Sequence, residues 1–119
     1  MDKYADFAVE KAVELLAIDS PSGYTAKVAR YVQQEFEALG FSAKLTNKGG
    51  VIADLGGSGN GLLLEAHADT LGAMVTRIKE NGRLEITNVG GLNANNTEAE
   101  NCRIITKFRG SYTGTLQVC

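Results

Sequence analysis

The chain has 119 residues, a net charge of −2, 44% hydrophobic and 22% charged residues, and one histidine. That length suffices for one small domain with a core. The near-neutral charge leaves no electrostatic footprint for nucleic acid or an anionic membrane, and no apolar run approaches the roughly 20 residues of a membrane span. The start, Met1-Asp2-Lys3-Tyr4, lacks the charged-then-apolar pattern of a secretory signal. Two cysteines, Cys102 and Cys119, are too few for a disulfide framework, so a reduced, cytoplasmic setting is the simpler inference.

The first segment reads as a helix. Tyr4, Phe7, Ala8, Ala12, Leu15 and Leu16 share one face at helical spacing, with Asp2, Glu10, Lys11 and Glu14 opposite. It should stop near Ile18, before the turn residues Asp19-Ser20-Pro21-Ser22-Gly23. A second helix should begin near Tyr24 or Thr25, carry the stripe Val28, Val32, Phe36 and Leu39, and end at Gly40. Phe41 to Leu45 and Val51 to Leu55 read as strands. Gly56 to Gly61 reads as a flexible turn. No Lys-Ser/Thr and no helix follow it, which speaks against a phosphate cradle.

Leu62-Leu63-Leu64 reads as a buried strand covered on both faces, ending in Glu65-Ala66-His67-Ala68-Asp69-Thr70. Ligand chemistry in open α/β sheets gathers at the carboxyl ends of strands. A neutral imidazole is a common metal ligand, and a nearby carboxylate can hold its other ring nitrogen. His67 is therefore a candidate metal ligand and Asp69 its candidate orienting partner. On spacing alone, an ordinary strand-end polar pair is the simpler reading. A zinc site needs three or four protein ligands, so His67 would be only part of one.

Beyond Asp69 the pattern changes. Ala73 to Lys79 and Arg83 to Val89 read as strands joined by a two-residue hairpin at Asn81-Gly82. Gly90 to Asn101 is loop-like, and Cys102 to Phe108 and Tyr112 to Val118 flank Arg109-Gly110-Ser111 as two further strands. No helical period occurs between Gly72 and Cys119. An α/β part, residues 1–71, is thus followed by an all-β part, residues 72–119. Both look incomplete, as the amino-terminal piece of a longer enzyme would.

Residues 61–92 resemble the M42 family of metal-dependent aminopeptidases. The resemblance rests on the apolar strand, Ala66-His67-Ala68-Asp69, Gly72-Ala73-Met74-Val75, the hairpin and Gly90-Gly91. Pro21-Ser22-Gly23, Gly49-Gly50-Val51-Ile52-Ala53, Glu100 to Ile104 and Tyr112 to Thr115 fit it as well. It implies the amino-terminal part of an α/β/α metallopeptidase sandwich, followed by part of a barrel-like β insertion that mediates homo-oligomer assembly. It also implies two divalent metal ions, zinc or cobalt, and peptide substrates cleaved at their amino termini. In this resemblance His67 matches a metal ligand and Asp69 the carboxylate that orients it. The remaining ligands and the catalytic glutamate lie beyond this chain, so Glu65, Glu98 and Glu100 are not general bases, and the chain alone should be inactive.

One departure is Thr70, where many M42 members carry glutamate. His-x-Asp-Thr also resembles the M20 metallopeptidases and deacylases, which share the Pro-Ser-x-Gly turn and an end like Leu39-Gly40-Phe41. Leu71 to Val75, the early hairpin and the β insertion favour M42. A non-catalytic association module and a small binding domain with a structural His-x-Asp complete the alternatives.

Overall fold

Asp2 starts the first helix by accepting the Tyr4 backbone N–H through its side chain at 3.2 Å. That helix, α1, spans Lys3–Leu16. The computed structural model describes residues 2–117. Met1, Val118 and Cys119, and with them the end of the expected last strand, lie outside the described residues. The chain divides into two units, one up to Leu71 and one from Gly72 on.

The second helix, α2, spans Ala26–Ala38. Its end follows from Gly40, which adopts φ +89° and lets the chain turn back. There the Gly40 N–H donates to the Glu37 carbonyl and the Phe41 N–H to the Phe36 carbonyl, each at 3.0 Å, a Schellman closure. The chain continues directly into β1 (Ser42–Leu45), which pairs antiparallel with β2 (Val51–Asp54) in the register Ala43↔Ala53. α2 packs on both strands. Val28, Ala29 and Ala43 are the buried apolar residues there, and the Gln33 side chain donates to the Ala43 carbonyl at 3.2 Å. This small apolar centre is the core of the unit.

The expected apolar face of α1 is not covered. Tyr4, Phe7 and Leu16 are exposed, and no α1 residue is buried. Polar contacts join α1 to α2 instead. Lys11 Nζ lies 2.7 Å from Glu14 Oε2 and 2.9 Å from Glu35 Oε2, and the Tyr31 hydroxyl donates to Glu14 Oε2.

The buried strand expected at Leu62 to Leu64 is not formed. These leucines are 84%, 83% and 77% exposed, and the backbone there is irregular. A central strand needs hydrogen-bonded neighbours on both edges and apolar cover on both faces. Among the described residues, β1 and β2 pair only with each other and α2 already lies on them, so nothing accepts the leucines. Phe7, Leu15 and Leu16 therefore have no Leu62 strand to pack on.

From Gly72 on, the chain forms β3 (Gly72–Ile78), β4 (Leu84–Val89), β5 (Asn101–Ile105) and β6 (Ser111–Thr115), with a 3₁₀ turn at Ala94–Asn96. β3 pairs with β4 and β5 with β6, both antiparallel, as two separate two-stranded sheets. The first hairpin turns differently from the two-residue form expected. The Lys79 N–H donates to the Arg83 carbonyl and the Gly82 N–H to the Lys79 carbonyl, at 2.8 and 2.9 Å. Only Gly82 has positive φ, at +81°, whereas a two-residue Asn-Gly turn needs positive φ at both positions. The loop is the three-residue kind, in which glycine takes the left-handed position. No described residue of this unit is buried. Helices and small antiparallel sheets together are compatible with the α/β class.

Candidate functional site

Two stretches far apart in sequence meet at the site. The first is the turn Ser20-Pro21-Ser22-Gly23-Tyr24, closed by the Tyr24 N–H donating to the Pro21 carbonyl at 2.8 Å. Gly23 is the third of the four residues Pro21 to Tyr24 that this bond closes, at φ +87°, the position for which a type II turn demands glycine. The second stretch is His67-Ala68-Asp69-Thr70. The Thr70 N–H donates to the Ser20 carbonyl at 2.9 Å, and Pro21 and Thr70 form a parallel bridge. Ser20, 0% exposed, donates its hydroxyl to the Ala68 carbonyl at 3.0 Å. Both neighbours of Asp69 are thereby tied to one residue.

The two expected site residues are together. His67 Nδ1 lies 3.1 Å from Asp69 Oδ1 and 3.2 Å from the Asp69 carbonyl oxygen. Both oxygens are acceptors, so this geometry suits a ring with a proton on Nδ1, the tautomer that leaves Nε2 for another partner. The His67 side chain is 85% exposed and that of Asp69 41%. The second Asp69 oxygen, Oδ2, accepts from the Ser22 hydroxyl at 2.7 Å. That hydrogen bond, together with the His67 ring, holds the Asp69 carboxyl below its ordinary value against partial desolvation. A shallow cleft of about 430 Å³ opens beside the pair, lined among others by Val28, Val32, Lys48, Gly49 and Val51.

A histidine with one ring nitrogen held by a carboxylate and the other bare is the donor arrangement of a metal-ligating imidazole. It fits one ligand of a divalent ion. Among the described residues, no three or more His, Cys, Asp or Glu side chains come together as a metal-holding group. Glu65 is exposed beside the pair, and Glu98 and Glu100 are exposed in the other unit.

Ser20 and Ser22 are the site residues that sequence reading missed. Ser-Pro-Ser-Gly announced a turn, but nothing in it announces hydroxyl partners 47 and 48 residues away.

Comparison with known proteins agrees with the sequence pattern. Residues 49–119 match the family described as M42 glutamyl aminopeptidase. The chain is 41% identical over 110 residues to "Putative aminopeptidase YhfE" of Bacillus subtilis (strain 168), covering 91% of this chain and 32% of that protein. It is 37% identical over 76 residues to "Putative [LysW]-lysine/[LysW]-ornithine hydrolase" of Pyrococcus furiosus, covering 64% of this chain and 23% of that protein. The chain thus spans about a third of the first relative's length and about a quarter of the second's.

Proposed function

The chain belongs to the M42 glutamyl aminopeptidase family, and from that premise we propose that it is the amino-terminal part of a metal-dependent aminopeptidase acting on peptides. Residues 1–71 contribute to the catalytic α/β sandwich. Residues 72–119 contribute to a β-rich, barrel-like insertion through which copies of the protein assemble. The observation that carries the reading is the His67–Asp69 pair, with its ring nitrogen and carboxylate 3.1 Å apart, inside the stretch that matches the family.

His67 would hold one of two divalent ions, zinc or cobalt, through Nε2. Asp69 keeps the imidazole in the required tautomer and adds negative charge behind it, which raises its basicity as a ligand. When bound, the metal pair supplies an activated water and polarises the scissile carbonyl. The remaining ligands and the glutamate that moves the proton would come from outside these 119 residues, which span about a third of the first relative's length. Residues 1–119 alone then do not hydrolyse peptides, because one imidazole and its partner cannot hold two metals. No described helix is long and apolar enough to cross a membrane, which is compatible with the cytoplasmic setting we propose.

The test uses the 119-residue chain and the longer enzyme side by side, with aminoacyl-nitroanilide substrates and metal analysis. The longer enzyme should be active and the short chain inactive. In the longer enzyme, His67→Ala should lose most of the activity and bound metal, and Asp69→Asn should weaken metal binding roughly 10–100-fold. Full activity and full metal in both variants would show a purely structural pair.

A further inference from the structure

We propose that Ser22 is a positioning residue for the His67 imidazole, acting through Asp69. The proposal concerns the geometry of this chain, and its bearing on metal binding rests on the reading of His67 as a ligand.

A carboxylate on an exposed loop turns freely about its side-chain torsions unless both oxygens are engaged. Asp69 Oδ1 faces His67 Nδ1 at 3.1 Å, and Oδ2 is held by the Ser22 hydroxyl at 2.7 Å. Ser22 can serve as the fixed point because its own backbone is immobilised. It sits between Pro21, whose ring sets φ, and Gly23, in a turn closed at 2.8 Å. The distance from turn to loop is set separately. Ser20, fully buried, reaches the Ala68 carbonyl with its hydroxyl and receives the Thr70 N–H on its carbonyl. Residue 20 thus fixes the register of the loop, and residue 22 fixes the rotation of the carboxylate within it.

The His67 ring proton has a second acceptor, the Asp69 carbonyl at 3.2 Å. It is neutral and slightly longer, whereas the carboxylate bond is charge-assisted and so stronger. Releasing the carboxylate therefore weakens, without abolishing, the preference for the proton on Nδ1. Removal of the Ser22 hydroxyl should leave the loop in place and let the imidazole sample the tautomer that blocks Nε2.

The single histidine makes the test direct. Long-range proton–nitrogen NMR of the 119-residue chain at about pH 9, where a free imidazole is neutral, reads the tautomer of His67 alone. The wild-type chain should show mainly the Nδ1–H form. Ser22→Ala should raise the Nε2–H form several-fold, and Ser22→Thr should restore the wild-type balance. Ser22→Val, matched to threonine in shape and lacking only the hydroxyl, repeats the comparison independently of how alanine is tolerated in the turn. An unchanged tautomer balance in Ser22→Ala and Ser22→Val would overturn the proposal. In the longer enzyme, zinc titration should show Ser22→Ala weakened roughly 3–10-fold, less than the loss expected for the carboxylate itself, with recovery in Ser22→Thr. Failure of wild-type enzyme to bind zinc through His67 would overturn the metallopeptidase reading while leaving the tautomer result in support of the positioning role.

Discussion

Ser20 reaches Ala68 with its hydroxyl across 48 residues of chain, whereas every strand from Gly72 on pairs with its neighbour in sequence. The unit up to Leu71 adds such long connections to its local packing. α2 packs on the β1–β2 hairpin, Lys11 joins the two helices, and a turn between helices carries the loop of His67. The other unit consists of two hairpins whose geometry is set within a few residues of each turn, with no described side chain buried. Distant contacts cost loop-closure entropy and form only where burial or charge offsets it. Local hairpins need little closure but gain little burial, and an isolated two-stranded hairpin is marginal in water. The difference teaches where a functional geometry can be built in this chain: in the unit where remote segments lock each other.

The strongest way to break this comparison is to remove the core of the first unit. Val28 is 2% exposed, and Val28→Ala deletes buried methyl groups at a cost of about 2 kcal/mol. Urea unfolding followed by helix circular dichroism should show the loss, and the His67 tautomer preference should weaken with it. A negligible change would mean that burial does not hold this unit.

A smaller effect sharpens the contrast from the other side. Gly82 occupies φ +81° with open space where a side chain would point. Gly82→Ala therefore costs backbone strain alone, about 1 kcal/mol. It should disturb amide shifts from Lys79 to Arg83 and spare those of α2. Spreading of the disturbance into β5 and β6 would show that the two hairpins are coupled after all.

Acid gives the smallest effect and separates the units by charge. Glu14 is held below its ordinary value of 4.5 by Lys11 and Tyr31, and Asp69 below 3.8 chiefly by Ser22. Groups whose folded pKa is depressed stabilise fully above the unfolded value, and that contribution is lost as pH falls through the folded one. The contacts of the first unit should thus be intact at neutral pH and fade below about pH 4. Both carboxylates face solvent, so the change should be modest. Carboxyl carbon shifts against pH would follow it. A midpoint for Asp69 above the ordinary value would contradict the Ser22 contact.

The elements that the sequence made legible are those governed by local rules. The α2 boundary at Gly40, the Gly23 turn and the hairpins at Gly82 and Gly110 follow from glycines, which adopt positive φ without the strain a Cβ adds. His67 and Asp69 were legible as a pair because two residues of spacing already bring ring and carboxylate within reach. The three-residue form of the Gly82 loop was not legible, because Asn-Gly suits either turn and the paired strands select one.

Sequence by itself determined the helices, the hairpins, the family and the identity of the His-x-Asp pair, since each rests on neighbours in the chain or on a contiguous motif. Tertiary structure alone decided what Leu62 to Leu64 do and what holds Asp69. An apolar run states a need for burial but cannot supply the strands and helices that satisfy it, and here those leucines remain exposed. A serine in a turn carries a donor whose partner is chosen by the path of the backbone, and only the folded chain brings Ser22 within 2.7 Å of a carboxylate 47 residues away.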